Sequence, residues 1–164
     1  MSRYGKIVVC LAVVGVLSGC SNGTGDTMEN GPEASLAAMS ELVEQTQTAL
    51  GGEWEVQDSE VADPCPGGDD ARQFLLGRIG PVLDDPDTAE TALREVWEPA
   101  GLKVERLERP TGVEFLGVGD DRSSVLVSSN PRGTGIQGLS PCFPKSSWDP
   151  ERQYVTLPPV APAP

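Results

Sequence analysis

The sequence contains no histidine. Without imidazole there is no Ser–His or Cys–His catalytic pair and no His-ligated metal, so most hydrolase mechanisms are excluded at once. Lysine is scarce too. Besides Lys6 there are only Lys103 and Lys145, and neither closes an SxxK motif, which leaves a Ser–Lys dyad without its base. Basic residues number 12 against 25 acids, a net charge of −13. A chain of that sign repels nucleic acid and anionic headgroups, so no nucleic-acid partner is expected. No apolar run reaches the roughly 20 residues that a spanning helix needs; the main one, Ile7–Leu17, holds about a dozen, broken by Gly15. No internal repeat is present.

That short run is informative through its flanks. Arg3 and Lys6 precede it, and Leu17-Ser18-Gly19-Cys20 completes it. A basic start, a short apolar stretch and small residues before a cysteine resemble the lipobox of bacterial lipoproteins, which predicts that residues 1–19 are a signal peptide and that Cys20 is acylated. A secretory signal cut nearby and an uncleaved anchor are the competing readings. On the lipobox reading the protein is lipid-anchored on the extracytoplasmic side of the cell membrane, held by its acyl chains rather than by charge. Removing 19 of 164 residues leaves 145, enough for one domain with a core and not for two. Arg3 and Lys6 leave with no acid, taking the net charge from −13 to −15. Such a field favours a cationic partner or divalent ions, or serves only to keep the domain soluble.

Of the four cysteines, Cys10 lies inside the removed run and Cys20 takes lipid. Cys65 and Cys142 remain as a pair in a disulfide-permissive compartment. A bond between them would close a loop of roughly 76 residues, worth about 4 to 5 kcal/mol at most on the chain-entropy argument. Two buried free thiols are the alternative. Neither has CxxC spacing, so both read as structural rather than redox or metal-binding.

Residues 20–32 are polar and Gly-rich and read as a flexible tether with a mean reach of about 20 Å. A single domain is expected over 33–148. Leu36, Met39, Leu42, Val43, Thr46, Ala49 and Leu50 recur at helical spacing and predict a helix from about Glu33 to Leu50, stopped by Gly51-Gly52. Alternation over Trp54–Val61 predicts a strand, with Asp63–Gly68 as the turn after it; Arg72–Ile79 reads as either strand or helix, and the early stop at Gly80-Pro81 favours a second strand pairing back onto the first. Asp87 with Glu90 three residues on reads as a capping box for a second helix, whose apolar face is Ala89, Ala92, Leu93, Val96, Trp97 and Ala100. Pro99 should shorten that helix and Gly101 close it. Lys103–Glu108, Val113–Gly119 and Ser124–Ser129 read as strands, the last two joined by a hairpin turn at Gly119–Ser123; a short run, Gly135–Leu139, leads to Cys142. The order predicts an α+β two-layer sandwich, a mostly antiparallel sheet of about five strands with two helices packed on one face. Residues 149–164 form a proline-rich tail, where Tyr154 precedes LPPVAPAP; Trp148 and Tyr154 together would lay the segment across a groove.

Lipobox, tether, amphipathic helix, Trp54, Cys65, a helix ending at Ala100-Gly101, a Gly-rich strand running into Ser140-Pro141-Cys142 and a proline-rich tail together resemble the LppA-like lipoproteins of actinobacteria. The resemblance spans most of the processed chain. It implies a cell-envelope lipoprotein and brings no catalytic residues with it.

Three constellations bear on chemistry. Gly133–Gly138 matches GxGxxG, but Pro141 and Cys142 forbid the helix whose N-terminus would hold a pyrophosphate. A narrow strand where another backbone comes close is the simpler account. Asp84, Asp85, Asp87 and Glu90 concentrate oxygen ligands without EF-hand spacing, and capping explains Asp87 and Glu90 without a metal. Asp69-Asp70 and Asp120-Asp121 raise the two-carboxylate chemistry of glycosidases, which needs the acids about 5 to 10 Å apart across a cleft. No catalytic residue, cofactor or metal is assigned. The leading expectation is a non-catalytic, membrane-anchored lipoprotein that binds an envelope protein or a cell-wall component. A small-ligand or lipid carrier with an apolar cavity is the alternative, and a carboxylate-dependent cell-wall glycosidase the next.

Overall fold

The structure is a computed structural model and describes residues 31–58, 62–66, 68 and 70–148. The expected signal peptide, Cys20, nearly all of the tether, Asp69 and the tail 149–164 with Tyr154 lie outside the described residues, as does the end of the expected Trp54–Val61 strand.

Helix α1 spans Pro32–Leu50. Proline suits its first position, where a missing N–H costs nothing, and Gly51 at φ 70° ends it, its N–H bonding Gln47 O at 2.9 Å. Met39, Val43 and Thr46 are buried at spacings of four and three, while Glu41 and Gln45 face water and bond each other. Helix α2 spans Pro86–Trp97 and buries Ala89, Leu93 and Trp97. Its cap is Asp85, not Asp87. Pro86 is pre-set for the first helical position, so the capping carboxylate must come before it, and Asp85 accepts from Asp87 N at 3.0 Å and Thr88 Oγ1 at 2.6 Å. Glu90 is thereby released from a capping box. The helix stops before Pro99, Gly101 at φ 84° reverses the chain, and Ala100 is exposed beyond the helix end.

The strands are β1 (Glu55–Val56), β2 (Asp63–Pro64), β3 (Ala71–Gln73), β4 (Leu75–Gly80), β5 (Lys103–Arg109), β6 (Gly112–Val118), β7 (Ser124–Asn130), β8 (Gly133–Leu139) and β9 (Phe143–Pro144). Six form one antiparallel sheet in the order β1-β4-β8-β7-β6-β5, and β2-β3-β9 form a small second sheet. α1 lies over β4 and β8, α2 over β5 and β6, and the helices touch each other. This is the expected α+β two-layer sandwich, with one strand more in its main sheet.

Three strands depart from expectation. Arg72–Ile79 is not one strand but two, β3 in the small sheet and β4 in the main one, divided at Phe74. β1 shrinks to two residues because Trp54 turns aside over Gly80, and Asp58 leaves the ladder to accept from Gly77 N at 2.9 Å. β8 is not a short appendage but a central strand of seven residues, paired on both sides. Its glycines blur the alternation that marks a strand, and they are there for packing. A Cβ on Gly138 would lie 2.8 Å from Val43 Cγ2 and 2.9 Å from Met39 Sδ, so its absence lets α1 sit down on the sheet. Gly133–Gly138 is therefore strand, with helix side chains as the close neighbours at Gly138.

Between the layers Trp97, Phe115, Leu93, Ile136, Val43, Val125 and Val127 are fully enclosed. Trp97 alone removes enough area from water to contribute roughly 4 to 6 kcal/mol before entropy is counted. Its indole Nε1 donates to Thr46 Oγ1 at 2.8 Å, and that hydroxyl donates to Leu42 O at 2.7 Å, so the polar atom at the helix–helix contact is satisfied. Among the described residues no buried side-chain N or O lacks a partner.

The sandwich has two unlike poles. Along α1, Met39 and Val43 lie over Gly138, and Gln47 reaches Arg78, which pairs with Ile136. α1 therefore runs from the pole of Ser140 toward the pole where β4 ends at Gly80. α2 begins at that second pole and returns, its Trp97 packing on Gly117.

Candidate functional site

The first pole holds the predicted cysteine pair. Cys65, between β2 and β3, and Cys142, before β9, are at disulfide distance with their Cα atoms 6.1 Å apart. The small sheet brings them together: Arg72 pairs with Pro64 on one side and Phe143 on the other. Ser140 fastens the junction, its hydroxyl accepting from Phe74 N at 2.8 Å. Trp148 packs on Phe74 with ring centroids 4.8 Å apart, so the domain continues in order through Trp148. The lipidation residue Cys20 lies outside the described residues.

Of the acids singled out in the sequence, Asp85, Asp87, Glu90, Asp120 and Asp121 enter ion pairs, caps or turn bonds. Arg106 reaches in from β5 over the Phe115 ring and bonds Asp87 at 2.6 Å, Glu108 at 2.7 Å and Glu90 at 3.3 Å. Those charge-assisted bonds drive its pKa further up. Bonds from Arg94, then Arg106, hold the Glu90 carboxyl below its ordinary value. The Thr88 hydroxyl and the Asp87 N–H do the same for Asp85. Asp120 pairs with Lys103 at 2.7 Å, which lowers its pKa and raises that of the lysine, and Asp121 accepts from Ser123 N in the hairpin turn. Asp70 belongs to the small-sheet end, where its carbonyl accepts from Lys145 N. Among the described residues no three Cys, Asp or Glu side chains converge as a metal would require.

One buried pair carried no signal in the sequence. Arg78 and Asp58, 7 % and 5 % exposed, pair directly, and Arg78 Nε also donates to Gln47 Oε1 at 3.1 Å. The network pins the segment after β1 to β4 and α1. Removing one partner would leave a buried charge, at a cost of about 3 to 5 kcal/mol.

The second pole carries a cleft of about 360 Å³. The end of α1, Trp54, the loop Pro81–Asp85 and the first turns of α2 wall it. Gly51-Gly52 turns the chain so that Trp54 folds back, its Nε1 donating to Gly51 O at 2.9 Å. A Cβ on Gly80 would lie 2.6 Å from both Cδ2 and Cζ3 of Trp54 and closer still to Cε3. Near-equal approach to three consecutive ring atoms places Gly80 under one face of the indole, and the half-buried ring lines the cleft. Trp54 read in the sequence as a strand residue. The signal for its role was the Gly-Gly stop just before it, together with Gly80-Pro81.

Taken together, fold and site define a two-layer α+β domain with a disulfide-clamped pole and an aromatic-walled cleft at the other. No protein-family model, curated protein or solved structure matches the chain.

Proposed function

We propose that the protein is a non-catalytic lipoprotein of the LppA-like kind, anchored by lipid on Cys20 at the extracytoplasmic face of the cell membrane, where its domain binds an envelope protein or a cell-wall component. The observation that carries the reading is the polarity of the sandwich. α1 begins at the disulfide pole, so a tether joined to Pro32 attaches there, and the Trp54 cleft opens about 28 Å away at the other end of a 19-residue helix. An anchored domain built this way presents its cleft away from the bilayer. The Cys65–Cys142 pair suits an oxidising, exported setting. Of the acids that would serve a glycosidase, Asp120 is paired with Lys103 and Asp121 with Ser123 in the hairpin turn. Trp97, Phe115 and Leu93 fill the space between helices and sheet, so a carrier would have to use the end cleft.

Fractionation of cells expressing the full chain tests the anchor. The protein should stay with membranes until detergent is added, and Cys20→Ser should release it or leave it unprocessed with no acyl group by mass spectrometry. A Cys20→Ser chain processed normally and still membrane-bound would overturn the reading.

A further inference from the structure

The sign of the field inside the Trp54 cleft follows from its walls. The C-terminal end of α1 and the N-terminal end of α2 both meet there, and their dipoles, about −0.5 and +0.5 of a charge, oppose each other. No basic residue in the last turn of α1 offsets its exposed carbonyls. Formal charge therefore decides, and it is entirely negative. Asp84 and Asp85 line the cleft with no Lys or Arg among the lining residues. Asp85 is committed to the α2 cap but stays ionised, its carboxyl held below the usual value by Thr88 and Asp87 N–H. Asp84 is exposed at the rim. Beside these carboxylates stands the Trp54 ring, which lines the cleft and whose negative quadrupole attracts a cation within about 6 Å. Leu83 and Val82, the latter 45 % exposed, add an apolar lip.

The structure assigns this cleft to an organic cation on an apolar stem, supplied as an Arg or Lys side chain of a partner protein. The guanidinium or ammonium lies on the Trp54 face beside Asp84, and the methylenes cover Leu83 and Val82. A volume near 360 Å³ is the lower end of ligand-site size and suits one side chain rather than a folded segment. The assignment rests on the proposal that the domain acts by binding, and it names the chemistry of the partner.

The test uses the mature, lipid-bearing protein, ¹⁵N-labelled, in micelles of a neutral detergent. Of its three indole N–H signals that of Trp54 is the one lost in Trp54→Phe. The probes are N-acetyl-arginine methylamide, its neutral isostere N-acetyl-citrulline methylamide, and choline. The arginine probe should move the Trp54 signal saturably at millimolar concentration, at least tenfold more tightly than citrulline. Asp84→Asn, at an exposed position, should weaken the arginine probe at least threefold, and 0.5 M salt should weaken it further. Equal binding of arginine and citrulline, or no saturable shift at Trp54 by 50 mM, would overturn the assignment. Choline binding tenfold more tightly than arginine would overturn the side-chain source in favour of a free quaternary amine. None of these outcomes touches Cys20 fractionation, so failure of the cleft and failure of the anchor are read separately.

Discussion

Replacing Thr46 by valine keeps the shape of the side chain and removes the one acceptor for the Trp97 indole N–H. Both residues are fully enclosed, and the bond between them is 2.8 Å. Water cannot reach the stranded N–H, so the substitution should cost about 1 to 3 kcal/mol, the desolvation penalty of an unpaired buried donor. Thr46→Ser keeps the hydroxyl and loses only a methyl, for about 0.5 to 1.5 kcal/mol. With a urea m-value of about 1 to 3 kcal/mol/M, a loss near 2 kcal/mol moves the unfolding midpoint down by about 1 M. Trp97→Phe supplies the control, because it removes the donor. In that background Thr46→Val should cost less than about 0.5 kcal/mol, and the difference between backgrounds is the coupling. Circular dichroism of all four proteins in urea gives the cycle. Equal cost of Thr46→Val with and without the indole N–H would refute the view that this bond joins the helices.

Two further outcomes follow from the fold. Replacing Cys65 and Cys142 together by serine should lower stability by up to about 4.5 kcal/mol, the entropy released by opening a 77-residue separation, and non-reducing electrophoresis should show the wild type migrating faster than its reduced form. Stability should also fall as pH drops through about 4.5. Asp85, Glu90 and Asp120 have folded pKa values below their ordinary 3.8, 4.5 and 3.8, so the unfolded chain binds protons first on acidification. Their contribution is complete above the unfolded values and is lost as pH falls through the folded ones. The exposed Lys103–Asp120 pair should be muted by 0.5 M salt more than the half-buried Glu90 pairs or the hydrogen-bonded Asp85 cap, and urea titrations at pH 7 and pH 3.5 with and without salt would show it.

How far the sequence reveals the fold depends on which signal each element uses. β5, β6 and β7 are readable because they are rich in β-branched and apolar residues, Val113, Phe115, Val125 and Val127 falling at every second position, and the hairpin turn at Gly119–Ser123 separates two of them; Arg122 there takes φ 69°. α1 shows its periodicity plainly. β8 is obscured because its packing depends on glycines, whose use is visible only once Met39 and Val43 are in place above Gly138. The start of α2 is ambiguous among Asp84, Asp85 and Asp87, and Pro86 is the residue that decides it. The cysteine pair was legible by counting. The Trp54 cleft was not, because its walls come from three segments that meet only when α1 ends where α2 begins.

The disulfide also governs how this domain would answer a mechanical load. The chain enters α1 and reaches Trp148 at the same pole, so tension between its two ends would be applied there at both handles. A pull on the C-terminal handle frees Phe143–Trp148 and then meets Cys142, where the covalent bond to Cys65 takes a share of the load beside the backbone that leads into β8. A pull on the N-terminal handle meets no such stop and unwinds α1 one turn at a time. In the oxidised chain the weaker grip is the N-terminal one, so an overloaded molecule would surrender its first helix while the sheet held.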